Sequence, residues 1–255
     1  MTAIDPPFIN EEFYAEQLLP EQMDSLWAKG WRHFGTHFFR YNVGILIDEL
    51  RFVLPLRIRL ADFRFSKSQR RVLRRNEDVN VTVGPIDIDA EAESLFTRHK
   101  TRFNHGVPES IYNFVSRQPA ASPCEAKEIR VTKGRTILAL SYFDVGGNST
   151  SGIYGMFEPT VTERGLGIFT MLKEIEYSLE TGREFYYQGY AYEGSSFYDY
   201  KKRFRSTEAF DWCRDWTAYD CAKEDLFGRN PIMSIRSHSG QTEASGSGGE
   251  PDALR

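Results

Sequence analysis

The chain has 255 residues, enough for one large or two small domains, and its 40% hydrophobic and 27% charged residues are typical of a soluble globular protein. The net charge of −4 excludes a uniformly basic coat protein for nucleic acid, and three widely spaced cysteines (Cys124, Cys213 and Cys221) argue against zinc ribbons, thioredoxin-like motifs and disulfide scaffolds. The sequence has no apolar run near the roughly 18 residues that span a bilayer and no signal-peptide pattern, so it predicts a cytoplasmic protein without a membrane segment.

The first half of the chain is predicted to alternate helices and strands. Leucines alternate with Arg57 and Arg59, which is typical of a strand with one apolar and one basic face, and Ser66 is a suitable N-cap for the helix that follows. Periodicity does not decide the state of residues 43–50. The predicted elements are helical turns over 11–29 with a break near Pro20, a strand or hairpin over 31–42, a strand over 53–63, a helix over 66–78, a strand over 78–85, and helices over 87–103 and 108–116.

The second half is richer in strands. Apolar residues recur every three or four positions between Gly165 and Leu179, which predicts an amphipathic helix that ends before Gly182. Three strands over 125–134, 135–147 and 149–159 precede this helix, one over 183–192 follows it, and two tryptophan-rich turns come next. The chain is therefore divided into an N-terminal region (1–50), a main domain (51–227) and a Ser/Gly-rich tail (228–255) that we expect to be disordered.

Positive charge is concentrated in one segment. Residues 51–75 contain nine basic residues and one acidic residue, a local charge of +8 in an acidic chain. A second basic cluster covers residues 201–205. Such a helix can be a solvated face, but two clusters in an acidic protein favour binding of a polyanion. The residues predicted to contact such a polyanion are Lys67, Arg70, Arg71, Arg74 and Arg75.

The order strand, strand, strand, helix, strand over 125–190 resembles the core of the Gcn5-related N-acetyltransferase fold. In that fold the N-terminus of the helix receives a phosphate group, because its free N–H groups point outward. The loop Thr162–Gly167 has both small residues of the motif [QR]-x-x-G-x-[GA], with threonine at its first position; alone it is also compatible with a simple glycine turn. We therefore predict an α/β (α+β) fold with a mixed sheet, flanking helices and a smaller N-terminal region.

A longer stretch, about residues 26–212, resembles the arginyl-tRNA–protein transferases and the bacterial aspartate/glutamate leucyltransferases. Four motifs of that family occur in the expected order: Tyr-x-x-Phe-[Asp/Glu]-Pro at 154–159, Arg-Ser-Leu-Gly at 164–167, Tyr-Tyr-x-Leu-Gly-Tyr at 185–190 and Tyr-Lys-x-x-Phe at 200–204. Residues 53–79 are similar to the strand and basic helix of the family, and residues 30–34 to its Gly-Trp-Arg segment. The resemblance implies aminoacyl-tRNA as the donor, a protein with an acidic N-terminus as the acceptor, and no separate cofactor. The basic residues between Lys67 and Arg75 are then the predicted tRNA-binding residues.

The sequence departs from the family at several positions. The cysteine-containing N-terminal segment of the family is absent, so we expect neither an iron–sulfur cluster nor any other metal site. Gln188 stands in place of leucine, Gly165 in place of serine, Phe197-Tyr198 in place of Lys-Met and Ser206 in place of proline. The changes other than Gly165 lie near the expected acceptor groove and leave the substrate preference open, whereas Gly165 makes the loop more similar to an acyl-CoA loop.

The reaction implied by the resemblance needs an uncharged amine, donors for an oxyanion and a proton for the departing ribose oxygen. In the fold, two central strands splay apart and leave backbone N–H groups available as an oxyanion hole. Strict alternation along 184–192 would place Gln188 and Tyr190 toward substrate and Tyr187 in the core, although each tyrosine can equally be half-buried strand packing. The catalytic candidates are Glu158, Tyr187, Gln188 and Tyr190, and the substrate-binding candidates are Tyr154, Phe157, Arg164, Gly165, Gly167, Gly189, Tyr200 and Lys201.

The sequence thus favours an enzyme that transfers arginine or leucine from charged tRNA to an acidic protein N-terminus, which the resemblance links to protein degradation. Two alternatives remain open at this point. One is an acyl-CoA N-acyltransferase on the same fold, and the other is a non-catalytic RNA-binding or adaptor relative.

Overall fold

The computed structural model describes residues 7–46, 49–104 and 106–220, and in these ranges two sheets are flanked by helices. The strands are β1 (Asn10–Tyr14), β2 (Arg32–Phe34), β3 (His37–Tyr41), β4 (Val43–Leu46), β5 (Glu49–Arg59), β6 (Asn80–Pro85), β7 (Ala126–Lys133), β8 (Thr136–Val145), β9 (Ser149–Phe157), β10 (Phe185–Tyr192), β11 (Thr207–Phe210) and β12 (Trp216–Ala218). The helices are α1 (Pro20–Ala28), α2 (Lys67–Arg75), α3 (Ala90–His99), α4 (Leu166–Glu180) and α5 (Asp199–Lys202). The predicted tail over 228–255 lies outside the described residues.

The large sheet has the strand order β12-β11-β5-β10-β9-β8-β7-β6, with β4 paired to β5. All of its neighbouring strands are antiparallel except β9 and β10, which are parallel and are connected through α4. A parallel pair needs a crossover connection, and an amphipathic helix is the usual one. The strand and helix order predicted for residues 125–190 is therefore the order in the structure.

Local signals account for several element boundaries. Ser66 caps α2 as predicted, because its hydroxyl accepts a hydrogen bond from Gln69 N–H while the Gln69 side chain accepts one from Ser66 N–H. Helix α4 starts after Gly165 and is followed by Gly182, and both glycines have positive φ values, 67° and 69°. Buried Phe169, Leu172 and Ile175 form the face of α4 that packs on the sheet.

Three predictions about the elements are wrong. Residues 10–14 form strand β1 instead of a helical turn, because they pair with β3 in a small sheet of order β1-β3-β2. The tryptophan-rich segment 211–220 contains strand β12 instead of turns alone, because β12 pairs with β11, which in turn pairs with β5. The helix predicted over 108–116 is only a 3-10 turn over Ile111–Asn113. The basic face predicted for β5 is present and is partly covered, since the guanidinium of Arg57 lies between the rings of Phe185 and Trp216, at 3.8 and 4.4 Å.

Helices α2 and α4 cover one face of the large sheet, and the N-terminal segment packs on the other. Apolar side chains of α2 and α4 bury Ile58, Leu60 and Tyr186 on the first face. Trp27 of α1 and Phe38 of β3 pack with Tyr187 on the second. Within the described part of the chain, no helix is both long and apolar enough to cross a bilayer.

A buried polar group fastens the small sheet to the large one. His33 of β2 is 3% exposed, and its Nε2 lies 2.8 Å from a carboxylate oxygen of Asp144 on β8. Its Nδ1 lies 2.9 Å from the Gly35 carbonyl oxygen, which can only accept a hydrogen bond, so Nδ1 carries a proton. A further proton must then lie between Nε2 and Asp144, because two acceptors would otherwise face each other. The buried pair therefore anchors β2 to β8.

This pair has an exposed counterpart that makes a matched comparison. His37 Nε2 also lies 2.8 Å from a carboxylate, that of Glu12, but both side chains are partly or largely exposed. Removing one partner of a buried pair costs about 3–5 kcal/mol, whereas an exposed pair contributes about 0–1 kcal/mol. We expect His33→Phe to lower the free energy of unfolding in urea by several times more than His37→Phe. Equal losses would contradict the anchoring role of His33.

Candidate functional site

The central feature of the site is the separation of β9 and β10. Their parallel ladder comprises three residue pairs and ends at Tyr187 and Ser151, although both strands continue, β9 to Phe157 and β10 to Tyr192. Beyond this point each strand pairs only with its outer neighbour, β9 with β8 and β10 with β5. The structure therefore contains the splayed pair of strands that the sequence analysis expected. Two cavities lie beside the gap.

The first cavity, which we call the α4 groove, lies at the N-terminus of α4 and has a volume of about 410 Å³. Its walls combine the glycine-rich loop before α4 with aromatic side chains. The lining residues are His99, Arg102, Gly155, Phe157, Thr162, Gly165, Leu166, Gly167, Ile168, Phe197 and Tyr200. Phe197 is 74% exposed, and the N–H groups of the first turn of α4 have no partner within the helix. The groove thus offers flat apolar surfaces beside a helix N-terminus that favours anions.

The basic helix α2 lies next to this groove. A Cβ atom at Gly165 would lie 3.7 Å from Val72 Cγ2, and Asn76 donates a hydrogen bond to the Arg164 carbonyl oxygen. Arg75 donates to the Glu163 carbonyl oxygen, which fixes the C-terminal end of α2 to the loop before α4. All five predicted tRNA-binding residues of α2 are exposed. The sequence signal for a polyanion therefore lies beside the groove whose helix N-terminus suits a phosphate.

The second cavity, which we call the β10 cavity, is small, about 40 Å³, and lies between the small sheet and β10. Its walls are mostly aromatic and include two cations and no carboxylate. The lining residues are Arg32, Phe34, Phe39, Tyr41, Gly152, Ile153, Gln188, Gly189, Tyr190, Tyr192, Tyr198 and Lys201. A Cβ atom at Gly189 would lie 3.4 Å from Lys201 Nζ and 3.6 Å from Arg32 Cζ, so both cationic groups meet at this glycine.

The two cations also bind the strands that separate. Arg32 donates hydrogen bonds to the Ser151 hydroxyl and to the Gly152 carbonyl oxygen on β9. Lys201 is 5% exposed, and its Nζ donates to the Tyr190 carbonyl oxygen on β10 at 2.9 Å. Side-chain donors therefore satisfy backbone carbonyls of both strands where the ladder between the strands has ended.

A β-bulge at Gln188 overturns the predicted alternation along β10. Tyr187 pairs with Arg57 and Gly189 with Leu56, so Gln188 is an extra residue in the ladder. Tyr190 pairs with Pro55. Pro55 and Arg57 are two residues apart on β5 and therefore lie on the same face, and residues directly opposite each other also share a face. Tyr187 and Tyr190 therefore share one face, contrary to the prediction, while Gln188 and Tyr190 both line the β10 cavity. Gly189, with a φ of 87°, adopts a conformation that favours glycine.

The structure also gives the two tyrosine hydroxyls particular partners. The Tyr190 hydroxyl donates to the Gly30 carbonyl oxygen at 2.6 Å, and burial raises the pKa of this hydroxyl well above its usual range. Tyr187 packs between Trp27 and Trp216, and its hydroxyl accepts a hydrogen bond from Arg57 at 3.4 Å. Burial raises its pKa as well. The Tyr190 hydroxyl thus contacts the N-terminal segment, and the Tyr187 hydroxyl contacts β5. In this arrangement both hydroxyls have structural partners.

Three other predicted site residues lie outside both cavities. Glu158 caps the 3-10 turn over Pro159–Arg164 and forms an ion pair with Arg98 at 2.7 Å. Burial raises the pKa of Glu158, but hydrogen bonds from Arg98 and Thr160 outweigh burial and leave it below the usual value. Tyr154 is fully buried in the core, and Arg164 pairs with Asp78. Of the remaining candidates, Phe157, Gly165, Gly167 and Tyr200 line the α4 groove, and Gly189 and Lys201 line the β10 cavity.

Among the residues that line the β10 cavity, Arg32 and the aromatic residues other than Tyr190 were not sequence candidates. Arg32 lies in the Gly-Trp-Arg segment that the sequence analysis compared with the family, so the resemblance was an available signal for it. His99 and Arg102 of the α4 groove follow from no motif, because α3 reaches the groove only through tertiary packing.

One group in the described residues has the chemistry of metal ligands: His33, Cys124 and Asp144, all buried, with ligand atoms within 4.8 Å of one another. Sequence analysis missed it because the three residues are far apart along the chain. Burial beside Asp144 raises the pKa of the Cys124 thiol well above its usual range, which favours the thiol over the thiolate that binds metals. We interpret the group as the buried hydrogen-bonded pair described above. The absence of a metal cofactor stays a prediction.

Comparisons with known proteins identify the family of the chain. The family model described as "Arginine-tRNA-protein transferase, C terminus" matches residues 91–211. An aspartate/glutamate leucyltransferase of Xanthomonas euvesicatoria pv. vesicatoria is 31% identical over 176 residues, which are 65% of this chain and 69% of that protein. One from Stenotrophomonas maltophilia is 31% identical over 187 residues, 69% of this chain and 72% of that protein.

The chain belongs to the family of arginine-tRNA-protein transferases and aspartate/glutamate leucyltransferases. The resemblance stated from the sequence is thereby confirmed, and with it the class of aminoacyltransferase enzymes. Among solved structures, FemX aligns with a TM-score of 0.51 at 10% identity over 86% of this chain and 74% of that chain. This likeness concerns the fold alone, and it confirms the predicted mixed sheet with flanking helices.

The position of Glu158 yields a prediction for this aminoacyltransferase. The carboxylate of Glu158 is bonded to Arg98 and to the 3-10 turn. We therefore expect Glu158→Gln to retain transfer activity within about threefold and to lower the free energy of unfolding by at most about 1 kcal/mol. A general base typically contributes 10²–10⁴-fold to the rate. A loss of that size in kcat, with unfolding unchanged, would instead make Glu158 the catalytic base.

Proposed function

We propose that the protein transfers an amino acid from aminoacyl-tRNA to the α-amine of a protein with an acidic N-terminus. The observation that carries the proposal is the pair of cavities beside the gap between β9 and β10. One suits the 3′ end of a nucleic acid, and the other suits an anionic side chain. Strand β9 and the segment 197–201 contribute residues to both cavities, so the two substrates would approach the same gap.

The α4 groove supports binding of the terminal nucleotide of the tRNA. Phosphate would lie at the N-terminus of α4, and Phe197 and Tyr200 provide aromatic surfaces on which a base can stack. Helix α2 would contact the tRNA backbone beyond the groove. Among the residues that the structure describes, Lys67, Arg71 and Arg74 have no carboxylate within ion-pair distance, so their charge is available to phosphates.

The charges of the two cavities favour leucine over arginine as the transferred residue. The described residues that line them include Arg32, Lys201 and Arg102, and no aspartate or glutamate. An arginyl side chain removed from water beside these cations would lack a partner and would be repelled. An apolar side chain instead fits the walls formed by Phe157, Leu166 and Ile168. The curated relatives that are leucyltransferases support the same choice.

The β10 cavity supports recognition of the acidic acceptor. Arg32 and Lys201 would donate charge-assisted hydrogen bonds to the carboxylate of an N-terminal Asp or Glu, and the cavity has room for little more than such a group. The acceptor amine would attack the ester carbonyl carbon, so that an N–C bond forms and the bond to the ribose oxygen breaks. The proton lost by the amine ends on that ribose oxygen. Marking of the acceptor for degradation in the cytoplasm stays a prediction.

A second candidate function rests on the same groove. The glycines of the loop before α4 line it, and a helix N-terminus receives the pyrophosphate of coenzyme A as readily as a nucleic-acid phosphate. An acyl-CoA N-acyltransferase would not need the exposed cations of α2.

The deciding experiment is a transfer assay with labelled leucyl-, phenylalanyl- and arginyl-tRNA, and with acetyl-CoA in parallel. The acceptors are peptides that begin with Asp, Glu, Asn or Lys. We expect label from leucyl-tRNA on the Asp and Glu peptides. Transfer from acetyl-CoA without transfer from any aminoacyl-tRNA would contradict the proposal and favour the second candidate.

The role of α2 can be tested by charge reversal. Arg71→Glu with Arg74→Glu should weaken binding of tRNA and lower the slope of log affinity against log salt by about two. Arg117→Glu with Arg135→Glu is a control with the same change in net charge at exposed positions elsewhere. If both double variants alter the salt slope equally, α2 is not the tRNA contact.

The acceptor contact can be tested with two neighbouring buried lysines. Lys201 lines the β10 cavity, whereas Lys202, also 5% exposed, donates to the Gly194 carbonyl oxygen and pairs with Asp199. We expect Lys201→Met to raise KM for an Asp acceptor by about 10- to 100-fold, because a hydrogen bond to a charged group contributes about 1.5–3 kcal/mol. Lys202→Met should change stability but leave the preference for Asp over Asn intact. Loss of that preference in Lys202→Met alone would contradict the assignment.

A further inference from the structure

Gln188 is a polar residue where the family motif has leucine; it lines the β10 cavity, and its side chain is buried. It is 1% exposed. Its Nε2 donates a hydrogen bond to the Thr207 hydroxyl at 3.3 Å, while its Oε1 has no hydrogen-bond partner among the described residues. A buried carbonyl oxygen without a donor costs free energy, so it marks a place where a donor from elsewhere is favoured.

The orientation of the amide is fixed by its surroundings. The Thr207 hydroxyl donates its own proton to the Phe204 carbonyl oxygen at 2.8 Å, so toward Gln188 it can only accept. Nε2 must therefore face Thr207, and Oε1 is the atom left over. The bulge places Gln188 beside Gly189, the residue at which Arg32 and Lys201 converge. The residues that line this small cavity thus supply two cationic donors and one acceptor atom that has no partner among the described residues.

We infer that Gln188 is a positioning residue that accepts a hydrogen bond from the α-amine of the acceptor, while Arg32 and Lys201 hold the carboxylate of the same residue. This inference rests on the proposed function and assigns to this chain a contact that leucine cannot make. An N-terminal Asp or Glu carries an N–H donor and a carboxylate on one residue, which matches the acceptor and the donors of the cavity. Gln188 takes no proton; it fixes the direction of the amine.

The first test separates the amine from the side chain. Binding is measured by calorimetry with peptides that begin with Asp or Asn, each with a free or an acetylated N-terminus. We expect Gln188→Leu to reduce the preference for the free amine over the acetylated form by about fivefold or more, because a hydrogen bond to a charged group contributes more than about 1 kcal/mol. Its preference for Asp over Asn should remain, whereas Lys201→Met should show the opposite pattern.

The second test measures the pH dependence of the reaction. Its outcome does not depend on whether the fold tolerates leucine at position 188. In Gln188→Glu, a carboxylate beside the amine would favour the ammonium form, and the neighbouring Arg32 and Lys201 would keep this carboxylate ionised. The other titratable groups that line the cavity are Tyr41, Tyr190, Tyr192 and Tyr198. We expect the rising limb of kcat, measured at saturating acceptor, to move to higher pH by about one unit in Gln188→Glu and to stay in place in Gln188→Leu, because kcat reports the pKa of the bound amine.

The outcomes are distinct. If Gln188→Leu keeps the wild-type preference for the free amine, or if Gln188→Glu leaves the pH profile unchanged, the inference is overturned. A purely structural role for Gln188 would lower the unfolding temperature of both variants without changing either readout. Failure of wild-type protein to transfer any aminoacyl group would overturn the proposed function, and the peptide affinities would still decide what Gln188 contacts.

Discussion

The arrangement of the site depends on the short parallel ladder between β9 and β10. Neighbouring strands of a mixed sheet form backbone hydrogen bonds along their length. Strands β9 and β10 form a ladder over only three residue pairs and then separate. Buried carbonyl groups cannot be left without donors. Arg32 and Lys201 supply donors on β9 and β10, and the bulge at Gln188 redirects the chain at the same level. The end of the ladder between β9 and β10 therefore accounts for both the open gap and the positive charge beside it.

The N-terminal segment completes this gap, although its sequence reads as a separate small region. Arg32 reaches β9 only because residues 30–35 are held on both sides. The Tyr190 hydroxyl binds the Gly30 carbonyl oxygen, and His33 is buried against Asp144 of β8. These two polar contacts join the N-terminal segment to the large sheet. They also fix the direction of the Arg32 side chain, which lies between Gly30 and His33 in the sequence. Loss of either is thus expected to affect the site as well as the stability of the fold.

Much of the scaffold could be predicted because its signals are local. The period of α4, the cap at Ser66 and the strand order around α4 all follow from residues close in sequence. Strands β11 and β12 could not be predicted, since short segments become strands only through their pairing with β5. The bulge at Gln188 is a register shift against a distant strand, and it reversed the relative facing of Tyr187 and Tyr190. Arg32, His99 and Arg102 enter the cavities by tertiary packing that no local pattern encodes.

The central claim is that donor and acceptor occupy different cavities on the two sides of the gap. Hydrogen exchange measured by mass spectrometry can test it with two separate ligands: a leucyl-adenosine analogue with an amide in place of the ester, and a peptide that begins with Asp. The analogue should protect amides of residues 165–168 and 197–200, and the peptide should protect those of residues 188–190 and 32–34. Protection of the same amides by both ligands, or of neither region, would contradict the account.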